Sequence, residues 1–411
     1  MDILFVTRWT PRLNGGGTQQ RAAVHLRALA GLGRVHLLYI GGGRPALDEE
    51  TLRMVHHVVT VQEAGLAGVP GEEPFSSGWV RRRIIGAWGI SGWLGIPRPC
   101  EAALLRAALK AQWFDIVFAF HIGSALVADA VLPHQTTTLR IIDWDFIESV
   151  NVVEWAMRGA LHLPLTRWLS TRFGAWKVYR LEQRVFARWG LHLCSSPIDV
   201  PYLQHHAPAA RVLSVENACQ APDHPPAVCV NETPTVLFVG TMAYWPNLDA
   251  AQHFMDEVWP LVRKALPAAQ LRVVGRAAPP ELLRRGGRHG IEVHSDVPDL
   301  QPFYEQAHLA VVPLRHAIGS NLKIPEAMAH ARAVVGYRGA CDRTGLDTDC
   351  GVDSVQTARE LAYKVIYLLK DSKLSAAMGL KAHATALSRL NLRVIESKMR
   401  GEVLRSLASR G

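Results

Sequence analysis

The sequence predicts an α/β fold of two Rossmann-like, doubly wound domains that face each other across a cleft, and three observations support it. The chain has 411 residues, more than one ordinary hydrophobic core accommodates. Short apolar runs alternate with helical patterns along both halves, as expected of parallel sheets covered by helices on both faces. A proline-rich stretch, APDHPPAVCVNETPT (221–235), separates the halves.

The first half contains predicted strands with helices between them. A loop of three glycines (15–17) follows the first strand and precedes a helical pattern that runs from about Thr18 to Leu32. Further helices are predicted at 101–111 and 123–131. The strands are ILFV (3–6), VHLLYI (35–40), DIVFAF (115–120) and TLRII (138–142).

The second half repeats this alternation. Its strands are TVLFVG (235–240), LRVVG (271–275), IEVHS (291–295), LAVVPL (309–314) and AVVGY (333–337). Its helices are predicted at 247–265, 279–286, 299–306, 321–330, 354–370 and 372–409. We therefore predict a first domain at 1–215, a second at 216–390, and a closing helix at 391–411 that packs back on the first. A ligand is expected in the cleft, at the carboxyl ends of the strands.

Composition and charge favour a folded cytoplasmic protein with an anionic partner. Apolar residues make up 49% of the chain and charged residues 20%, while a net charge of +9 favours nucleotides, anionic lipid or nucleic acid without choosing among them. The six cysteines show no CxxC and no zinc spacing, which favours a reduced protein. The start, MDILFVTRWT, lacks signal-peptide features, and no apolar stretch reaches the roughly 18–20 residues of a membrane span.

The most informative stretch is GSNLKIPEAMA (319–329), which directly follows the strand LAVVPL and a short loop. Small residues that open a helix at a strand's carboxyl end are typical of an anion site. Lys323 lies in the first helical turn, where a cation opposes the helix dipole unless an anion is bound. Glu326 lies one turn further, and the two side chains together suit a diphosphate and a ribose hydroxyl. The alternative is an ordinary helix with a solvated Lys–Glu pair.

Two long segments resemble a known family. LAVVPLRHAIGSNLKIPEAMAHARAVVGYRGACDRTGLD (309–347) is similar to the nucleotide-sugar signature of family 4 glycosyltransferases, which have the GT-B fold. FVGTMAYWPNLDAAQHFMDEVWPLVRKALPAAQLRVVG (238–275) resembles a narrower group of bacterial polysaccharide-type sugar transferases. The resemblance covers essentially the whole chain, and it is loose between 45 and 135.

The resemblance implies roles for individual residues. It implies Lys323 beside the diphosphate, Glu326 on the nucleotide ribose, and the loop of Gly16 near the phosphates. Arg276, directly after the strand LRVVG, is a further candidate for the phosphate clamp, the alternative being a solvated arginine. The expected donor-binding residues are Gly16, Gly17, Gly240, Gly319, Ser320, Asn321, Leu322 and Glu326, and the expected catalytic residues are Lys323, His121 and Arg276.

The sequence also departs from the family pattern. The first glutamate of the family's paired-glutamate motif would fall at Ile318, and Thr241 and Pro246-Asn247 stand where a basic pair is usual. The phosphate clamp therefore depends more on Lys323, the helix N-terminus and Arg276. The missing glutamate motivates one alternative function, a non-catalytic nucleotide-sugar-binding or scaffold protein. A sugar-nucleotide epimerase of the same fold is the other.

Three polar residues follow strands of the first domain. Asp143 and Asp145 alternate off one strand end, in a segment that resembles an Asp-x-Asp-Ser stretch of the narrower group, and could bind acceptor hydroxyls. His121 follows the strand DIVFAF, and in related enzymes a histidine near this point faces the donor sugar. The alternatives are a structural loop and a structural histidine. Paired aspartates mark metal sites in other folds, whereas the resemblance implies catalysis without a metal or another cofactor.

The function implied by the resemblance is that of a retaining glycosyltransferase of polysaccharide biosynthesis. A nucleoside-diphosphate sugar would bind mainly to the second domain, and a glycan, lipid-linked or small-molecule acceptor to the first. A Rossmann dehydrogenase is disfavoured, because GGGTQQ departs from the pattern G-x-G-x-x-G.

A basic and aromatic segment favours contact with an anionic membrane surface on the cytoplasmic side. Residues 158–190 hold seven Lys or Arg and one acid, Glu182, among several tryptophans, and arginines at 180, 184 and 188 repeat at helical spacing. An apolar run at 84–97, directly after Arg81-Arg82-Arg83, suits a buried or interfacial segment. The alternative is a core helix with a solvated basic face. Nucleic acid is not expected as a partner, since no binding module is recognised.

Overall fold

The structure is a computed structural model, and it describes residues 1–61, 97, 99–109, 113–132, 137–156, 165–226, 232–317, 319 and 321–409. The chain forms two compact units, one of Met1–Val215 with Glu396–Gly411 and the other of Glu216–Ile395. Arg81-Arg82-Arg83 and almost all of the apolar run at 84–97 lie outside the described residues, as do Ile318 and Ser320.

The first unit contains a seven-stranded parallel sheet with the order β3-β2-β1-β4-β5-β6-β7. Its winding reverses between β1 and β4, which makes this point the switch point of the sheet. The strands are β1 (Asp2–Thr7), β2 (Arg34–Tyr39), β3 (Val55–Thr60), β4 (Ile116–Phe120), β5 (Leu139–Asp143), β6 (Leu191–Cys194) and β7 (Arg211–Ser214). The helices are α1 (Gly17–Ala30), α2 (Glu49–Met54), α3 (Pro99–Ala108), α4 (His121–Val131), α5 (Glu148–Ala156), α6 (Leu165–Arg188) and α7 (Val200–His206).

The second unit contains a six-stranded parallel sheet with the order β10-β9-β8-β11-β12-β13, reversing between β8 and β11. The strands are β8 (Thr235–Thr241), β9 (Gln270–Arg276), β10 (Ile291–Ser295), β11 (Leu309–Val312), β12 (Ala333–Tyr337) and β13 (Val352–Val355). The helices are α8 (Trp245–His253), α9 (Trp259–Ala265), α10 (Pro280–Leu283), α11 (Gln301–Glu305), α12 (Lys323–Ala329), α13 (Arg338–Cys341), α14 (Ala358–Lys370) and α15 (Ser372–Thr385). A last helix, α16 (Leu392–Ala408), starts in this unit and continues into the first.

The central strands of both sheets are buried on both faces. Every residue of β4, β5, β11 and β12 is buried. Strands that are covered by helices on both faces consist of near-continuous apolar runs, so these strands can be recognised from the sequence. The prediction of doubly wound α/β domains is confirmed.

Two predicted helices are interrupted. The helix expected at 247–265 is divided by a π-helical turn, Phe254–Val258. Pro260 follows, and because proline has no backbone N–H it cannot continue the regular α-helical ladder. The helix expected at 372–409 is likewise divided by a π-turn, Ala386–Leu390, after which Asn391 is extended. None of the helices in the described part of the chain combines the length and apolar character of a bilayer span.

Candidate functional site

In the second unit, β8 and β9 end side by side, close to the switch point. Gly240 pairs with Gly275, and Thr241 with Arg276. A Cβ atom on Gly275 would lie 1.8 Å from the carbonyl oxygen of Gly240, and one on Gly240 would lie 2.9 Å from the amide of Asn247. Only glycine permits such close approach of two backbones. The strand ends are therefore pressed together, with Asn247 packed directly over them.

Asn247 connects this strand end to the helix that carries the lysine of the central motif. Its Nδ2 atom donates a hydrogen bond to the carbonyl oxygen of Thr241 at 2.9 Å. Its Oδ1 atom accepts one from Nζ of Lys323 at 2.7 Å. Because both ends of the amide are engaged, its orientation is fixed and its oxygen faces the ammonium group. In the sequence, Asn247 stands out only as a departure from the family pattern. Its contact with Lys323 cannot be recognised there, because the two residues are 76 positions apart.

Lys323 is the first residue of α12 and is partly buried. Burial lowers the pKa of its ammonium group to about 7, although the charge of Glu326 opposes this shift. Its Nζ atom also lies 5.7 Å from the centre of the Phe238 ring. A lysine with this pKa is only partly charged at neutral pH, and a bound anion would favour its protonated form.

Glu326 lies one turn further along α12 and is held by Tyr304. The Tyr304 hydroxyl donates a hydrogen bond to the Glu326 carboxylate, and the Tyr304 ring stacks on His330 with centres 4.3 Å apart. Burial raises the pKa of Glu326, opposed by that hydrogen bond and by the charges of Lys323 and Arg276. Burial and the neighbouring carboxylate raise the pKa of Tyr304 well above its usual value, so the hydroxyl remains a donor.

The loop before α12 differs in detail from its predicted form. The helix begins at Lys323 with Leu322 as its N-cap, rather than at 320–321, and it spans seven residues. Gly319 has a φ of +64°, a left-handed conformation that favours glycine. The Asn321 amide donates to the carbonyl oxygen of Ala340 at 3.5 Å. Lys323, and not a long helix dipole, therefore supplies the positive charge at this end of α12.

The remaining predicted donor residues lie at the ends of other elements. Arg276 is exposed at the end of β9, and its positive charge acts to lower the pKa of Glu326. In the first unit, Gly16 is the N-cap of α1 and Gly17 its first residue, and both are exposed. A Cβ atom on Gly16 would meet nothing within 4 Å, so the space beside the start of α1 is open. Ser320 lies outside the described residues.

His121 and Asp145 come together at the carboxyl ends of the paired strands β4 and β5. Both have left-handed backbones, with φ of +70° and +44° respectively. Nε2 of His121 lies 3.6 Å from Oδ2 of Asp145, and the hydroxyl of Thr18, in the first turn of α1, donates to the same oxygen at 3.4 Å. Left-handed non-glycine residues cost about 1–3 kcal/mol each and are concentrated at functional sites.

Asp143 does not lie beside Asp145 as an exposed partner. Its carboxylate is fully buried, and Arg21 donates to both of its oxygens, at 2.7 and 2.8 Å. His25, one turn along α1, lies 2.9 Å from one of these oxygens. Burial alone would raise the pKa of Asp143, but the charges of Arg21 and His25 hold it well below its usual range. The predicted acceptor-binding role of Asp143 is therefore corrected to a structural one.

Sequence reasoning did not identify Arg21 and His25. Both belong to a run of buried residues in α1 and are spaced i, i+4, and the other buried residues of this helix are apolar. Basic residues on a buried helical face require a partner, and that pattern was the available signal. Among the described residues, no group of three or more His, Cys, Asp or Glu could hold a metal ion.

Comparison with known proteins gives matches for the second unit and for the fold. Residues 233–371 match the family model described as "Glycosyl transferases group 1". Sucrose-phosphate synthase from Thermosynechococcus elongatus superposes with a TM-score of 0.68 at 16% identity, over 100% of both chains. Anabaena Alr3699/HepE, in complex with UDP-glucose, gives 0.63 at 13% identity, over 99% of this chain and 100% of that one.

A third solved structure, WaaG, a glycosyltransferase involved in lipopolysaccharide biosynthesis, gives a TM-score of 0.62 at 14% identity, over 97% of this chain and 98% of that one. No curated protein matches the sequence significantly. At these identities the structural likeness establishes the fold alone. The prediction of the GT-B fold is confirmed.

Proposed function

We propose that the protein is a glycosyltransferase that moves a sugar from a nucleoside-diphosphate sugar to an acceptor hydroxyl. The observation that carries this proposal is the pair of Lys323 and Glu326, which lie one turn apart on α12. Each is hydrogen-bonded to a neutral side chain, Lys323 to Asn247 and Glu326 to Tyr304. The pair lies within the segment that matches the glycosyltransferase family model. Anabaena HepE has been solved with UDP and with UDP-glucose, which supports a nucleotide-sugar donor.

Lys323 would stabilise the leaving diphosphate. Breaking the sugar–phosphate bond leaves extra negative charge on the diphosphate, and a preorganised cation beside it lowers the barrier. Because Asn247 already fixes the position of Nζ, little reorganisation is required. Arg276, exposed at the end of β9, would supply a second positive charge.

Glu326 would accept hydrogen bonds from the ribose hydroxyls. Tyr304 occupies one acceptor position of the carboxylate, and a carboxylate has about four. Glu326 can therefore bind a ribose and keep its contact with Tyr304. This arrangement fixes the nucleotide relative to Lys323 through a single helix, α12.

Asp145 and His121 would face the sugar and the acceptor. Their side chains are held at one edge of the first sheet, beside the exposed glycines that open α1. We infer retention at the anomeric carbon by a same-face displacement in which the leaving phosphate assists deprotonation of the acceptor. Since Lys323 and Arg276 provide positive charge, we propose a reaction that needs no metal, and turnover should survive excess EDTA. Loss of activity in EDTA with rescue by Mg²⁺ or Mn²⁺ would contradict this.

The proposed cellular role is polysaccharide biosynthesis on the cytoplasmic face of a membrane, with a glycan or lipid-linked acceptor. A non-catalytic nucleotide-sugar-binding protein and a sugar-nucleotide epimerase are the competing functions, the first motivated by Ile318 in place of the family's glutamate. The three functions give different products from the same donor.

The test is incubation with labelled UDP-, GDP-, ADP- and dTDP-sugars in the presence of a membrane lipid extract. Label in a larger glycan or lipid product, abolished in Lys323→Met and retained in Lys373→Met, supports the proposal. Lys373 is an exposed lysine of the same unit and serves as the matched control. Recovery of an epimerised donor, or binding without any conversion, would contradict it.

A further inference from the structure

Helix α6 exposes large hydrophobic side chains that the proposed chemistry does not use. Trp168 is 40% exposed, Leu169 52%, Phe173 51% and Trp176 54%. Isolated exposed apolar residues are ordinary, but several on one helix are typical of an interaction surface. We call Trp168, Leu169, Arg172, Phe173, Trp176, Lys177, Arg180 and Arg184 the outer face of α6.

Helical spacing places these residues on one side of α6. Trp168, Arg172, Trp176 and Arg180 follow one another at one-turn intervals. On the opposite side, Ala175, Val178, Glu182 and Val185 are buried. The helix is therefore packed on the unit along one side, and the aromatic side is left toward solvent.

Each exposed ring on the outer face has a cation beside it. The Arg172 guanidinium lies 5.0 Å from the Trp168 ring centre, Nζ of Lys177 lies 4.5 Å from that of Phe173, and the Arg180 guanidinium lies 5.9 Å from that of Trp176. The rings of Phe173 and Trp176 also stack, 5.8 Å apart. A peripheral contact with a lipid bilayer requires apolar groups that enter the headgroup region and cations that pair with the lipid phosphates. The rings and the neighbouring cations of the outer face provide both.

The positive charge of the outer face favours an anionic bilayer over a second copy of the protein as its binding partner. A second copy docking through the same face would place arginines against arginines, which like-charge repulsion disfavours. A solvated helix face would not need four large hydrophobic side chains. An anionic bilayer accepts both the rings and the cations, and a convex helix can lie flat on it.

The buried side of α6 holds the start of α5, the helix that follows the loop of Asp145. Glu182 accepts hydrogen bonds from the backbone N–H and from the hydroxyl of Ser149, at 2.9 and 2.6 Å. Ser149 is the second residue of α5, four positions after Asp145. Docking of α6 would thus fix the start of α5 and the neighbouring acceptor loop relative to the lipid surface.

We propose that the outer face of α6 docks on an anionic lipid bilayer and that the acceptor is lipid-linked, presented to Asp145 from that surface. The docking part stands on the exposed side chains alone. The acceptor part rests on the proposed glycosyl transfer. Two separate readouts, vesicle binding and product partition, keep the two parts distinguishable.

Docking is tested by flotation with vesicles of phosphatidylcholine alone or mixed with phosphatidylglycerol. The protein should float with the mixed vesicles at low salt and be released near about 0.5 M salt, where the screening length is only a few ångströms. Arg172→Gln/Arg180→Gln/Arg184→Gln should weaken binding roughly a hundredfold, at about fivefold per cation. Lys370→Gln/Lys373→Gln/Lys381→Gln, three exposed lysines of the second unit, should not change it.

The contribution of the aromatic rings to vesicle binding is tested by two double variants, one on the outer face of α6 and one control on α14. Phe173→Ser/Trp176→Ser removes the stacked rings of the outer face and should weaken binding about tenfold or more. Tyr363→Ser/Tyr367→Ser removes a comparable exposed stacked pair from α14 and should leave binding unchanged. Equal recovery on neutral and anionic vesicles, no recovery on either, or preferential binding to single-stranded nucleic acid would overturn the docking proposal.

Product partition tests the acceptor. Label transferred in the presence of lipid extract should enter the organic-solvent phase, and the outer-face variants should lose this transfer while binding the nucleotide sugar normally by calorimetry. Label found only in water-soluble glycan would overturn the lipid-linked acceptor and leave glycosyl transfer intact. Absence of any transfer by a protein that floats normally would contradict the proposed function and leave docking intact.

Discussion

Asp143, the last residue of β5 in the first unit, is fully buried, whereas Glu326, on α12 of the second unit, is partly buried, and the partners of the two carboxylates differ. Asp143 is held by two basic side chains, Arg21 and His25, which occupy both oxygens. Glu326 is held by the neutral hydroxyl of Tyr304. Lys323, whose charge influences Glu326, donates its hydrogen bond to an amide instead.

The difference distinguishes a structural charge from one that is available to a ligand. The carboxylate in the first unit is fully buried and paired with Arg21 inside the protein, so its removal would leave a buried charge without its closest partner, and it is not exposed to a substrate. In the second unit, neutral partners fix the position of each charge without neutralising it, so a bound diphosphate and ribose can complete the pairing. The expected consequence is that mutations at the first site reduce stability and mutations at the second reduce function.

The largest expected effect is on the stability of the first unit. Asp143→Asn should lower the free energy of unfolding by up to about 3–5 kcal/mol, because it removes the closest counter-charge of the buried Arg21 and leaves Asp145, which is 3.9 Å away. The low pKa of Asp143 means that its stabilisation is present above the usual value of about 3.9 and is lost as the pH falls below it. Chemical denaturation measures both effects.

Asp145→Asn is the control for this prediction. It changes an aspartate two residues away whose side chain is 12% exposed, and asparagine tolerates the same left-handed backbone. Because Oδ1 of Asp145 lies 3.9 Å from Nε of Arg21, farther than the oxygens of Asp143, the unfolding free energy of this variant should fall by only about 1 kcal/mol. Equal destabilisation by both substitutions would remove the distinction between the two aspartates.

The next effect is on turnover. Lys323→Met keeps the aliphatic stem and removes the charge, so turnover should fall by roughly a hundredfold or more. Stability should be retained or raised, since burial disfavours the charged amine in the free protein. Steady-state kinetics and denaturation on the same preparation measure both. Near wild-type turnover in the folded variant would exclude the proposed role.

A smaller effect is expected on donor affinity. Glu326→Ala should weaken binding of the nucleotide sugar by about 1.5–3 kcal/mol, the range for hydrogen bonds to a charged group. Tyr304→Phe keeps the stack on His330 and removes only the hydroxyl, so the loss should be about 0.5–1.5 kcal/mol. Calorimetry with both variants measures the difference, and unchanged affinity in Glu326→Ala would place its carboxylate outside the donor site.

Much of the fold is predictable from the sequence because buried parallel strands are continuous apolar runs. The strands that sequence reasoning overlooked are short, or lie at sheet edges and are more polar: VHHVVT at β3, RVLS at β7 and VDSV at β13 are edge strands. The four-residue strand β6, LHLC, is internal but too short to stand out. Edge strands have fewer neighbours to bury them, so their sequences are less constrained.

The candidate site was only partly predictable. Lys323 and Glu326 could be recognised from the sequence because they are three residues apart on one helix. Asn247 and Tyr304, which hold them, come from distant segments, and no sequence period links them to α12. The same limit applies to Asp143, since Arg21 lies 122 residues away and reverses the expected role of that carboxylate.

Proton uptake on donor binding tests the central claim most directly, that Lys323 is a positioned but incompletely charged cation awaiting a diphosphate. The probe is the first nucleotide sugar to bind in a thermal-shift panel, titrated by calorimetry in buffers of different ionisation enthalpy. With a pKa of about 7 in the free protein, Lys323 should take up close to one proton on binding at pH 8 and almost none at pH 6. Affinity should accordingly fall by up to about tenfold per pH unit above 7. Lys323→Met should abolish the uptake, whereas binding without proton uptake at pH 8 in the unmodified protein would contradict the account.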